Sequence, residues 1–452
     1  MAIRTQHSNS EVHKSTIELK QLMHQVLELA QKEGATDAAV AINNDRGFSV
    51  DVRMNQVETI TFNEDKGIGV TVYIGQRKGS ASSTDISSQA LVAMVRAACD
   101  IAKVSAEDPC FGLADKELIA RDTLDLDLFH PWDINPQAAI DLALSCEQQG
   151  LSFDQRIVNS DGVNVSSYQS HHGYANTNGA LGVVDSTRHS MSCSLIAAQG
   201  DEMQRDYEYS TVRNAIDLMA PEWIAQQAAK RALSRLGAKQ IPTQKTPVVF
   251  SSRLSAGLFS SFISAISGHN LYKKNSFLVD SIGHQLFPEF IRIYEQPHLP
   301  GGLGSAPFDG EGVLTRPNLI VEEGRVLQYV MGSYSARKMG LVTTANSDGV
   351  HNLTIDSNAQ ALDDVLKTMG TGLLVTELMG QGVNILTGNY SRGASGYWVE
   401  DGEIQYPVDQ ITIAGNLKEM FRQIIAVGND LNPNSATRCG SVLIESMMIA
   451  GV

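Results

Sequence analysis

Eleven histidines and five cysteines are the residues of this 452-residue sequence from which a hydrolytic or metal site could be built. A helical zinc protease needs two His on one helix face with a Glu beside the first, so that imidazoles hold the ion and the carboxylate acts on its water. None of the eleven His is followed by Glu, which removes HExxH and HExxxH alike. The adjacent His171 and His172 would point to opposite sides of a strand and so could not share one ion without distortion. His189, His269, His284 and His351 stand alone in sequence, where a hydrogen-bonded imidazole is the commoner role.

Nucleophiles fare no better. No GxSxG spacing is present, so the strand-to-helix serine elbow of α/β hydrolases is absent. Cys439 follows Arg438, which could depress its pKa, but no His lies near it in sequence, and a partly buried thiol is the simpler reading. The run Gly301-Gly302-Leu303-Gly304-Ser305 lacks the Lys of a phosphate-binding loop, and Gly370-Thr371-Gly372 lacks the third glycine of a dinucleotide loop.

The elements that would position any site follow from periodicity. Leu19, Leu22, Met23, Val26 and Ala30 predict a helix over 16–33, with Ser15 or Thr16 as cap and Gly34 as stop. Gly67–Gly75 is rich in β-branched residues and reads as a strand. Asp85 is expected to begin a helix carrying Leu91, Met94, Val95, Ala98 and Ile101 on one stripe. Asn135 and Pro136 open another with Ile140, Ala143 and Leu144 inside, and Gly150 is expected just past its end. Met191, Cys193 and Leu195 alternate with Ser190, Ser192 and Ser194, the period of a half-buried strand that makes Cys193 a core residue.

The polar stretch from Leu236 to Pro247 predicts a division near residue 240, giving domains of 1–240 and 241–452. Beyond it, Val248–Phe250 reads as a buried strand, and Leu254, Leu258, Phe259, Phe262, Ile263 and Ile266 as an apolar helix. Hairpins are expected to turn at Glu322-Glu323-Gly324 and at Asp401-Gly402. Asn416 should cap a helix carrying Leu417, Met420, Phe421, Ile424 and Ile425 and ending at Gly428. The predicted class is α+β, two domains that each mix glycine-bounded strands with a few amphipathic helices.

Charge and composition narrow the partners. A formal charge of −15 and the lack of any long basic run disfavour direct nucleic-acid binding. No stretch approaches the ~20 apolar residues of a membrane helix, and the first residues carry no apolar leader core, so neither secretion nor membrane insertion is expected. Five cysteines without a CxxC pair fit reduced thiols, and a cytoplasmic location is the expectation.

The densest feature is Gly370–Asn416, with nine glycines among Val, Ile, Leu, Tyr and Trp. Such a segment suits short strands with close backbone approaches, and an extended peptide could be held there by main-chain bonds. The residues alone leave a plain β core and a peptide-docking surface equally open.

ELMGQGVNILTGNYSRGASGYWVEDGEIQYPV and TIAGNLKEM in this region resemble the signature of the TldD/PmbA family, once called modulators of DNA gyrase. RKGSASSTD (77–85), DPCFGLADKEL (108–118), DLDLFHP (125–131) and SYSARKMGL (333–341) resemble its PmbA branch, also called TldE, and the similarity spans essentially the whole chain. The resemblance implies one subunit of a cytoplasmic TldD/TldE-type metalloprotease acting on unfolded or extended peptides.

In the TldD-like partner an HExxxH helix and a terminal cysteine hold zinc; an ungapped comparison places Phe259, Ser260 and Ser264 at the His, Glu and His, and Cys439 in the region of the cysteine. The implied chain therefore has no catalytic or metal-binding residue and no cofactor of its own, zinc being expected in the partner. Gly388, Tyr390, Ser391, Arg392, Gly396 and Trp398 are the residues expected at the peptide chamber. Two other readings stay open: a peptide-binding or chaperone-like homo-oligomer without protease activity, and an enzyme whose site joins Cys439 to distant histidines.

Overall fold

A computed structural model describes residues 2–359 and 361–451, with side chains from residue 16 onward. Helix α1 (Ala2–Lys32) leads into strands β1 (Asp37–Arg53), β2 (Gln56–Ile74) and β3 (Arg77–Ser83), then helices α2 (Ser88–Val104) and α3 (Pro136–Leu151). Strands β4 (Ile157–Asn176), β5 (Leu181–Gln199) and β6 (Glu202–Val212) and helix α4 (Pro221–Ser234) complete the first half. The six strands form one antiparallel sheet in the order β3-β2-β1-β4-β5-β6.

Alternation decides how this sheet is covered. Val40, Ile42, Val70 and Val72 share a face and pack under α1 and α2. Val50, Val52, Val163, Val165, Met191, Cys193 and Leu195 continue that face under α3 and α4. The opposite face carries small and polar residues over much of its area and is roofed at one end by the cluster of Tyr174, Ile119, Phe308 and Val313.

The second half begins with β7 (Gln244–Phe250), α5 (Ser252–Ala265) and α6 (Gly268–Tyr272). It continues through β8 (Ile293–Glu295), β9 (Asn318–Glu322), β10 (Arg325–Val326), α7 (Ser333–Lys338), β11 (Leu353–Ile355) and α8 (Leu362–Met369). It ends with β12 (Gly372–Met379), β13 (Asn389–Glu400), β14 (Glu403–Asn416), α9 (Leu417–Arg422), β15 (Ile424–Val427) and β16 (Val442–Ala450). A sheet of order β14-β13-β12-β7-β16-β15 is antiparallel except for β12 beside β7, and β14 also pairs with β16, so it curls towards closure. Strands β10-β9-β8-β11 form a smaller sheet beside it. The fold is α+β, as expected.

Several boundaries differ from the sequence reading. Helix α1 starts at Ala2, so Ser15 and Thr16 lie within it and do not cap it; Gly34, at φ +94°, does follow its end. Helix α2 is capped by Ser87 and not begun by Asp85, whose carboxylate instead accepts the Ser87 amide, and Ile101 is 45% exposed, off the buried stripe. Gly150 lies inside α3, which runs on to Leu151. The helix capped by Asn416 stops at Arg422, and Ile424 and Ile425 belong to β15. Both hairpins turn where expected: Glu323 and Gly324 have φ of 48° and 72°, Asp401 and Gly402 of 51° and 78°, the left-handed pairs a two-residue turn requires.

Candidate functional site

Helix α5 follows a strand whose Val248, Val249 and Phe250 are wholly buried. Phe259 and Phe262 are buried too; Phe262 meets Phe287 edge-on at 5.0 Å and Phe421 at 5.9 Å between ring centroids. Ser260 and Ser264 are exposed on the other side, and the Ser260 hydroxyl donates to the Ala256 carbonyl at 2.8 Å. Cys439 is 1% exposed, its thiol donates to the Gly440 carbonyl, and burial pushes its pKa up to about 12, so it stays a protonated core group. Among the described residues no three His, Cys, Asp or Glu side chains come together as metal ligands would.

His171 and His172 sit at successive positions of β4 with separate partners: His171 Nδ1 lies 2.7 Å from Asp185 Oδ1 and His172 Nδ1 2.7 Å from Asn43 Oδ1. His189 is buried between the Ser167 hydroxyl (3.0 Å) and the His130 carbonyl (2.8 Å), and burial lowers its pKa.

The six residues expected at a peptide chamber lie on or just before β13. Tyr390 is buried against Phe250, and burial raises its pKa to about 12. Trp398 is 8% exposed and donates to Glu400 Oε1 at 2.9 Å. Gly396 permits a close strand contact, since a Cβ there would lie 1.9 Å from the Leu374 carbonyl oxygen. Gly388 is buried with φ +78° beside Asn416 and Phe277. Ser391 is exposed and Arg392 half-buried, its Nε without a hydrogen-bond partner. Strand β13 is flanked by β12 and β14, so its main chain is engaged within the sheet and only side chains can face a ligand.

Two polar assemblies escaped the sequence reading. Segment 108–115 and helix α7, each of which carried part of the family resemblance, are bound together across more than two hundred positions. Asp108 Oδ2 pairs with Lys338 (2.7 Å) and accepts from Tyr334 (2.8 Å), while its Oδ1 accepts the Cys110 amide (2.9 Å); Lys338 foremost, then that amide and Tyr334, hold its pKa down at about 2. Arg337 donates to the carbonyls of Cys110, Gly112 and Leu113 and pairs with Asp115 at 3.0 Å.

Beside this junction, Glu295, 1% exposed, accepts from Asn318, from Asn346 at 2.9 and 3.0 Å, and from the His351 amide at 2.8 Å. Burial alone would lower the pKa of His351, but Glu295, Asp348 and Asp309 outweigh it and raise it. Asp309, also 1% exposed, accepts the Ser347, Glu311 and Val313 amides; burial nonetheless pushes its pKa up to about 6. The motifs at 108–118 and 333–341 were visible in the sequence, but nothing in either marks the other as its partner.

Comparison with known proteins adds three matches to family models. Residues 243–451 match the PmbA/TldA metallopeptidase C-terminal domain, 129–236 the central domain and 38–102 domain 1. The chain is 49% identical to Metalloprotease PmbA of Escherichia coli O157:H7 over 437 residues, 96% of each chain. A Metalloprotease TldD homolog of Buchnera aphidicola is 25% identical over 397 residues, 82% of this chain and 80% of that one. The crystal structure of a candidate modulator of DNA gyrase from Bacteroides thetaiotaomicron superimposes with a TM-score of 0.91 at 27% identity, covering 96% of this chain and 99% of that one.

Proposed function

The chain belongs to the PmbA/TldD metallopeptidase family, and from that premise we propose that it is the zinc-free subunit of a two-subunit cytoplasmic protease that processes or degrades unfolded peptides. Its partner is a TldD-like chain carrying HExxxH. One observation carries the reading: at the positions compared with the partner's zinc ligands, the side chains of this chain do not fit a catalytic metal. At the compared helix positions Phe259 is buried in the core, Ser260 and Ser264 are hydroxyls facing outward, and the Cys439 thiol is enclosed and protonated.

The contribution of this subunit is to shape and close the chamber. Tyr390, Trp398, Gly388 and Gly396 set the position of β13, while the Ser391 and Arg392 side chains are the groups it can turn to a peptide. The existence of TldD-named relatives such as the one in Buchnera is consistent with such a pairing.

The test is co-expression with the HExxxH relative from the same genome, followed by a peptide-cleavage assay with and without a chelator. Cleavage by the pair that the chelator abolishes, with none from this chain alone, is the expected result. Full activity from this chain by itself would overturn the proposal, and a stable homo-oligomer that binds peptide without ever cleaving it would favour the chaperone-like alternative.

A further inference from the structure

Strand β2 is covered unequally on its two edges. It pairs with β1 from Gln56 to Tyr73, but with β3 only from Ile68 to Ile74. Among the described residues no other main chain bonds to the stretch 56–67, so the N–H and C=O groups on that edge are open to solvent. Every residue from Gln56 to Lys66 is exposed except Thr61 and Asn63, which are half-buried.

Val57, Ile60 and Phe62 stand opposite Val52, Val50 and Phe48 of β1 and so share the face that elsewhere carries the helices. Phe62 meets Phe48 at 6.2 Å between ring centroids yet is 69% exposed, and Val57 and Ile60 are each 41% exposed. The centre of the stretch, 59–63, holds β-favouring Thr, Ile and Phe with no charge and no proline. The charges that repel a chance strand lie on either side, Glu58 before it and Glu64, Asp65 and Lys66 after it. An open edge this long, apolar at its centre, is a template for one further strand, and the flanking charges select which.

We propose that this edge pairs antiparallel with the same edge of a second copy of the chain, about a two-fold axis that passes through Phe62 normal to the sheet. Gly67 is the last residue before β3 begins to pair, and an axis at Phe62 sets Val57 opposite it, so the new ladder fills the open stretch without meeting β3. The same register sets Phe62 against its copy and Glu58 against Lys66 twice, and opposite charges directly across a ladder stabilise it. An axis moved by one residue to Thr61 would set Glu58 against Glu64 on both sides, where like charges repel. An axis normal to the sheet also keeps the helices of both copies on one side. There the two Phe62 rings, with Ile60 of each copy diagonal to Phe62 of the other, cover one another's apolar surface. The inference stands apart from the subunit assignment, since it places two copies of this chain in the assembly whichever chain supplies the zinc.

The test is analytical ultracentrifugation of the full-length chain alone over a range of concentrations, at about 0.15 M salt, where a Debye length of ~8 Å screens the overall charge. A monomer–dimer equilibrium is expected. Phe62→Glu sets two carboxylates face to face at the axis and should raise the dissociation constant about tenfold or more. Because Phe62 is exposed, that variant should melt at the wild-type temperature. Glu58→Lys should weaken the dimer likewise, and the exchange E58K/K66E should restore it, a rescue that a merely structural role of either residue would not produce. Phe62→Cys should form an interchain disulfide on mild oxidation, whereas Thr61→Cys, about 7–8 Å from its copy across the ladder, should not. A chain that stays monomeric, a dimer unaffected by Phe62→Glu, or an exchange variant that fails to recover overturns the inference. A monomer whose Phe62→Glu variant no longer co-purifies with the HExxxH relative overturns it in favour of a strand from that relative. If the chain is monomeric while the co-expressed pair still cleaves peptide, the edge assignment falls and the subunit assignment stands.

Discussion

Asp309 sits in an environment far from that of its side chain in water. It is enclosed, and although three backbone amides point at its carboxylate, burial prevails and its pKa rises from 3.8 to about 6. A folded-state pKa above the unfolded value favours the protonated form in the fold. That stabilisation is complete below about 3.8 and is lost as pH rises through about 6. Between about pH 5 and about pH 7 the wild type should therefore lose roughly 1 kcal/mol of unfolding free energy relative to Asp309→Asn, read by denaturant titration at each pH. A parallel pH dependence in the two proteins would show that the carboxyl is not perturbed in the fold. None of this is visible in the sequence, where Asp309 is one acid in Phe308-Asp309-Gly310-Glu311; the amides that surround it include that of Ser347, brought in by the fold alone.

At the scale of elements, α7 and segment 108–115 act as one unit because the planar guanidinium of Arg337 reaches three carbonyls and a carboxylate together. Arg337→Ala leaves those carbonyls without their donor and should cost about 2–4 kcal/mol, measured by chemical denaturation. Arg337→Lys should recover less than half of the loss, because a point charge cannot reproduce the fork. The long strands and buried helices were legible because their periodicity runs over many residues, as in Met191, Cys193 and Leu195. The segment after Asn416 was not. Leu417, Met420, Phe421 and Ile424 fit a 3.6-residue stripe, yet the chain turns at Gln423, and β15 pairs with β16, burying Ile424 while Ile425 stays 39% exposed. Over so few residues helical and strand periods overlap, and the β16 ladder decides between them.

For the whole molecule, the family and the α+β class could be read from motifs scattered along the chain, because each is a contiguous string. How those strings meet could not, since Asp108 and Lys338, or Asp115 and Arg337, become neighbours only once the two halves pack. The absence of HExxxH was likewise plain in sequence, whereas the burial of Phe259 and Cys439, which leaves no room there for a ligand set, needed the fold. The proposed division of labour places the metal of the active enzyme wholly outside this chain. Its most direct test is the mass of the complex purified with the HExxxH relative, together with zinc assigned subunit by subunit after separation. The account predicts a hetero-oligomer in which the relative carries one zinc ion per chain and this chain carries none; stoichiometric zinc retained by this chain, or zinc-dependent cleavage by it in the absence of the relative, would contradict it.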